Sequence, residues 1–116
     1  MYIRESIRKD IAVLTITGHM MGGPECYNLH EKMKSLLADG IRKIVVDLKK
    51  VRWMNSSGLG TLMSCWGAVC IRNGVLKLAN PTDKIQSLLV ISRMLEFFET
   101  YNSVDRAVSS FQKRLN

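Results

Sequence analysis

The chain has 116 residues, 47% of them apolar and 23% charged, with a net charge of +7. That length suits one domain over residues 1–116, and the apolar content argues against a disordered chain. No apolar run approaches the roughly 18 residues of a membrane span. Charges also interrupt the opening Met1-Tyr2-Ile3-Arg4-Glu5, so neither membrane insertion nor a signal peptide is expected, and the expected compartment is the cytoplasm.

In chain order, residues 2–8 and 11–17 are rich in β-branched side chains, and Lys9-Asp10 between them suits a hairpin turn. Gly18 and then Gly22-Gly23-Pro24 break the pattern. From Glu25 to Asp39, Leu29, Met33, Leu36 and Leu37 recur at helical spacing, with Gly40 as a stop. The run Ile44-Val45-Val46 within residues 41–48 suits a strand covered on both faces, and residues 51–60 then read as a loop. Leu59, Leu62, Met63, Trp66, Val69 and Cys70 predict a helix with one wide apolar face, ended by Asn73-Gly74. A strand follows at 75–79. Next comes a helix opened by Pro81-Thr82-Asp83, with Thr82 or Asp83 as its cap. A short strand near Phe98–Tyr101 precedes a last helix placing Val104, Ala107, Val108, Phe111 and Leu115 on one side. Strands alternating with helices predict an α/β fold with a mixed, mostly parallel sheet of four to five strands, an N-terminal hairpin and about four helices. Sites in such sheets form at the carboxyl ends of the parallel strands, where residues 51–60 fall.

The three cysteines, Cys26, Cys65 and Cys70, have neither CxxC nor Cys/His spacing, which argues against a disulfide framework or a zinc site. Cys65 and Cys70 are expected to be small buried hydrophobes. No cofactor is called for. The 17 basic residues run from Arg4 to Arg114, with a local cluster at Lys49, Lys50 and Arg52. Such a net charge suits nucleic acid or an acidic partner, but no stacking pattern or recognition helix supports nucleic acid.

The segment Trp53-Met54-Asn55-Ser56-Ser57-Gly58-Leu59-Gly60 concentrates the chemistry. Asn55, Ser56 or Ser57 can each accept from the free N–H groups of the following helix. Gly58 and Gly60 cost roughly 1 kcal/mol each relative to alanine within a helix, a cost capping alone leaves unexplained. They would leave room beside the hydroxyls for something bulky. A nucleophile elbow needs glycine two residues before its serine, where Met54 and Asn55 stand. A phosphate-binding loop needs Gly-Lys-Ser/Thr, and a dinucleotide fingerprint needs a third glycine. His19 and His30 read as surface or helix-face residues, with no triad spacing. An enzyme is not expected.

The stretch from Val45 to Met63 resembles the signature of STAS domains, the family of anti-sigma factor antagonists: Asp47-Leu48, Val51, then Asn55-Ser56-Ser57-Gly58-Leu59-Gly60. The order of elements resembles that family's as well. The resemblance implies regulation of transcription by partner switching. The unmodified protein binds an anti-sigma factor that is itself a serine kinase. Phosphorylation at the position of Ser57 releases it, and a serine phosphatase resets the cycle. By motif position Ser57 would be the acceptor, with Asn55, Ser56, Gly58, Leu59 and Gly60 shaping the partner-binding loop and Lys49, Lys50 and Arg52 attracting an acidic partner. The family's usual aspartate is Asn55 here, which cannot accept a proton. The residues Gly18-His19-Met20-Met21 also depart from its usual Gly-x-Leu/Ile-Asp, with Met20 or Met21 expected to fill the core. The alternative within the family is a subunit of an ABC-type lipid or solute transporter that binds the ATPase without phosphorylation.

Overall fold

The computed structural model describes residues 1–112. Strands β1 (Tyr2–Arg8) and β2 (Ile11–Met20) lead into helix α1 (Gly23–Ala38), strand β3 (Lys43–Met54) and helix α2 (Ser56–Ile71). Strand β4 (Val75–Ala79), helix α3 (Asp83–Ile91), strand β5 (Glu99–Tyr101) and helix α4 (Val104–Gln112) complete the order, with a one-turn 3-10 helix at Met94–Glu96. The sheet order is β1-β2-β3-β4-β5, with β1 antiparallel to β2 and the other pairs parallel. This is the mixed α/β sheet that the alternation of elements predicts, with five strands. The predicted Leu115 contact lies outside the described residues.

Helix ends follow local chemistry. Gly40 at φ 91° closes α1, its N–H reaching the Leu37 carbonyl while that of Ile41 reaches Leu36. Asn73 at φ 63° does the same for α2, with Gly74 N–H on the Val69 carbonyl. Both ends are Schellman motifs, in which a left-handed residue turns the chain back over the last carbonyls. Thr82 is the cap of α3, accepting from Ile85 N–H at 3.3 Å.

Two layers of side chains sandwich the sheet. The larger core packs α1, α2 and α3 onto one face through residues such as Leu29, Met33, Leu62, Val69, Ile85 and Leu89 against Ile44, Val46 and Leu48. On the other face, α4 sets Ala107 and Val108 against Ile11, Val13, Val45 and Ala79. Covering both faces explains why β3 opens with an unbroken apolar run.

β3 extends six residues beyond the predicted strand 43–48, and β2 continues past Thr17 to Met20. Residues 51–54 of the expected loop are therefore strand, and 56–60 are already helix. Pairing slips by one residue twice, Thr15 facing Asp47 but Thr17 facing Lys50, and Gly18 facing Val51 but His19 facing Trp53. The two extra residues lie on β3, as bulges that bend a strand without ending it. The first is clamped by Asp47, only 8% exposed, which accepts from Lys49 N–H at 3.1 Å and Asn80 Nδ2 at 3.0 Å. Lys49, Lys50 and Arg52 fall beyond the predicted strand because charge interrupts the apolar pattern, yet each is an exposed residue of the bulged strand.

Three further expectations are refined. Met20 is fully buried whereas Met21 is 47% exposed, so only the first fills the core. Cys65 is buried, but Cys70 is exposed, because it falls on the solvent side of α2. Trp66 is half-buried, its ring meeting Phe97 edge-on at 5.2 Å.

Candidate functional site

The segment Asn55–Gly60 forms a one-residue junction and the first turn of α2 rather than a free loop. Asn55 is the cap. Its Oδ1 accepts from Gly58 N–H at 3.0 Å, its Nδ2 donates to the Met21 carbonyl at 3.1 Å, and its own N–H reaches the Met20 carbonyl at 3.2 Å. Both ends of the amide are therefore used. An ionised aspartate would keep the cap but could not donate to Met21, so the asparagine has a structural reason of its own.

Gly58 is buried, and a Cβ built there would overlap the Met20 carbonyl oxygen and stand 2.9 Å from its carbon and 3.0 Å from Met20 Cβ. The glycine thus lets the helix start press against the backbone at the end of β2. It does not open space beside the hydroxyls, as its position in the motif suggests. That role falls to Gly60, whose Cβ would meet nothing within 4 Å. Leu59 packs against the larger core.

Ser56 and Ser57 are both exposed. Ser57 stands at the edge of a groove of about 360 Å³ lined on one side by Gly22, Gly23, Cys26, Tyr27 and His30 and on the other by Ser57, Gly60, Thr61 and Ser64. The turn ahead of α1 lies so close that a Cβ on Gly22 would be 2.7 Å from Ser57 Cβ. Gly22 also has φ 91°, a conformation that disfavours any side chain. First-turn N–H groups of a helix have no partner within it, so the Ser57 hydroxyl sits where a negative charge is tolerated.

The groove chemistry is mild. The His30 Nδ1 faces Ser64 Oγ at 3.4 Å and Cys65 Sγ at 4.0 Å, not Ser57, and no carboxylate lines the groove to orient the imidazole. Burial, with the neighbouring Cys26 adding to it, pushes the Cys65 thiol up to about 12, so it stays protonated at neutral pH. The Cys26 sulfur accepts Gly22 N–H at 3.2 Å. Lys49 is not in this groove. It lines a separate cleft of about 520 Å³ with Asn80, Thr82, Asp83 and Tyr101 at the carboxyl end of the sheet. The wall supplied by α1 was not legible in the sequence, although the paired Gly22-Gly23 marked where the chain turns.

The fold and this junction define a class of protein that comparison identifies. A STAS domain model matches residues 2–107, and the chain belongs to that family. No match is found among curated proteins. A Thermotoga maritima protein assigned to the anti-sigma factor antagonists superposes with a TM-score of 0.88 at 17% identity, covering 96% of this chain and 95% of that one. The Bacillus anti-sigma factor antagonist SpoIIAA, in its unphosphorylated form, gives 0.82 at 14% identity over 99% of this chain and 100% of its own. Its phosphorylated form gives 0.74. A sulfate transporter family protein from Wolinella succinogenes gives 0.75 at 13% identity, covering 92% of this chain and 88% of that one. At these identities the likeness is one of fold.

Proposed function

We propose that this protein is an anti-sigma factor antagonist acting by partner switching. The unphosphorylated form binds an anti-sigma factor that is a serine kinase, phosphorylation of Ser57 releases it, and a serine phosphatase restores binding. The observation that carries this reading is the exposed Ser57 hydroxyl on the first turn of a capped, 16-residue helix at the edge of a groove. A phosphate there adds about −1.5 to −2 charges and three acceptor oxygens. The helix N-terminus tolerates it, so the fold persists while the contact surface changes sign. A partner surface that is apolar or acidic is then expelled by desolvation and repulsion.

Asn55 makes a demand on this mechanism. Its amide is held by Gly58 and Met21 and cannot take the serine proton, so the base for phosphoryl transfer comes from the kinase. The same residue favours a second reading, in which the chain serves a transporter by binding its ABC ATPase and Ser57 is never modified. That a sulfate transporter family protein shares the fold is compatible with such use.

Affinity purification from the native cell, comparing wild type with Ser57→Asp, separates the two. Partner switching predicts that wild type retrieves a serine kinase and Ser57→Asp does not. Retrieval of an ABC ATPase by both forms supports the transporter reading, and retrieval of no kinase by wild type refutes partner switching.

A further inference from the structure

The net charge of +7 is unevenly spent. Among the described residues, ion pairs engage Glu5, Asp10, Glu25, Glu31, Glu96, Glu99 and Asp105. Of the ten carboxylates this leaves Asp39, Asp47 and Asp83, and Asp47 is buried under its own hydrogen bonds. Among the described residues, Arg4, Lys9, Lys49, Lys50, Arg52, Arg72, Lys84 and Arg106 are exposed and have no carboxylate within 4.0 Å. Asp83 is exposed on the wall of the Lys49 cleft, next to Lys84 in sequence.

Five of them, Arg4, Lys49, Lys50, Arg52 and Lys84, share one region. Helix α4 packs across β3, β4 and β5 and over Ile11 and Val13 of β2, and it leaves β1 and the carboxyl ends of β2 and β3 open on that face. Cross-strand partners share a face, so Arg4 stands beside Thr15, and Tyr2 beside Thr17 and Lys50, on the open side. Arg52 follows at the second bulge, and Lys84 reaches over the Trp53 ring at 5.5 Å. The antiparallel β1–β2 pair can face water on one side, and this patch is cationic and hydroxyl-bearing rather than apolar, so it is not the footprint of a missing helix.

We infer that this open, positively charged end of the sheet docks an acidic protein segment, on a surface separate from the Ser57 groove and whether or not Ser57 is modified. Unpaired lysines and arginines steer and orient an acidic partner at modest desolvation cost, and the exposed Tyr2 and Thr17 supply hydroxyl donors to its carboxylates. A single-stranded nucleic acid stacks successive bases on ring faces, but the Lys84 ammonium lies over the Trp53 ring and leaves only Tyr2 of the two aromatic side chains here free to stack. A bilayer would need apolar side chains between the cations, where threonines stand.

The test is titration of the full chain with fluorescein-labelled poly-L-glutamate, an oligo-dT strand and phosphatidylserine vesicles. Wild type is compared with Lys50→Glu/Arg52→Glu/Lys84→Glu and with an equal charge reversal elsewhere, Lys9→Glu/Lys34→Glu/Arg72→Glu. Circular dichroism checks that both variants fold. In about 0.1 M salt, where exposed charges act across about 10 Å, the first variant should weaken polyglutamate binding at least about tenfold and the second by less than about threefold. Equal losses would reduce the effect to net charge and overturn the assignment. Stronger binding to the oligonucleotide or the vesicles would overturn the choice of partner. Because the Ser57→Asp purification leaves these cations intact, failure of one experiment does not carry over to the other.

Discussion

Alanine at position 58 and alanine at position 60 should act in opposite directions, although both replace a glycine in the first turn of α2. At Gly58 the new methyl would run into the Met20 carbonyl oxygen and stand 2.9 Å from its carbon. Carbon–carbon contacts are favourable at about 3.5–4.0 Å, so the helix start must retreat by at least about 0.6 Å. The obstacle is backbone in the middle of a paired strand end, and no rotamer change removes it. Overpacking of this kind costs about 1–3 kcal/mol. Retreat also stretches the Asn55 bonds to Met20 at 3.2 Å and Met21 at 3.1 Å, each worth about 1 kcal/mol. Alanine's better helix propensity returns at most about 1 kcal/mol, leaving a net loss of about 2–3 kcal/mol and a Tm lower by about 10 °C or more. At Gly60 nothing lies within 4 Å and φ is ordinary, so the same change should stabilise by about 0.4–1 kcal/mol. Urea titration of both variants, with matched m-values, measures the difference. Equal stability of the two, or Gly58→Ala as the more stable, would refute the close approach of α2 to β2.

The Asn55 series should rank in the same assay. Asn55→Asp keeps the cap and loses the Met21 bond, costing about 1 kcal/mol, whereas Asn55→Ala loses both and costs about 2 kcal/mol. Thiol titration of the native protein should find Cys70 reacting fast and Cys26 and Cys65 only on unfolding, since the latter two are buried. Because burial raises the Cys65 thiol from 9.0 to about 12, the unfolded chain releases its proton first. Stability should therefore hold below pH 9 and fall as pH rises from 9 toward 12, a slope that Cys65→Ala reduces. Glu99 titrates the other way. Its hydrogen bonds from Tyr101 and then Lys77 hold the carboxyl below its ordinary 4.5, so their small contribution is present above that pH and lost as pH falls through the lowered value. Glu99→Gln should flatten the acid limb of a stability–pH profile.

Much of the architecture was legible because it rests on neighbours in the chain. Apolar spacing marked α1 and α2, Gly40 and Asn73-Gly74 marked their ends, and β-branched runs marked β1 and most of β2. Motif spacing alone singled out Asn55–Gly60 and, through the family resemblance, Ser57. Other features depend on residues far apart in sequence. The length of β3 required two bulges against β2 and a clamp between Asp47 and Asn80, so its charged half fell beyond the predicted strand. Gly58 is needed because of a carbonyl 38 positions earlier, at Met20, and Asn55 spends its amide on Met21. The α1 wall of the groove, and the gathering of unpaired cations at one end of the sheet, exist only once strands are in register. Periodicity and capping are written by consecutive residues, whereas close approach, burial and charge pairing are decided by which strands and helices come to lie side by side.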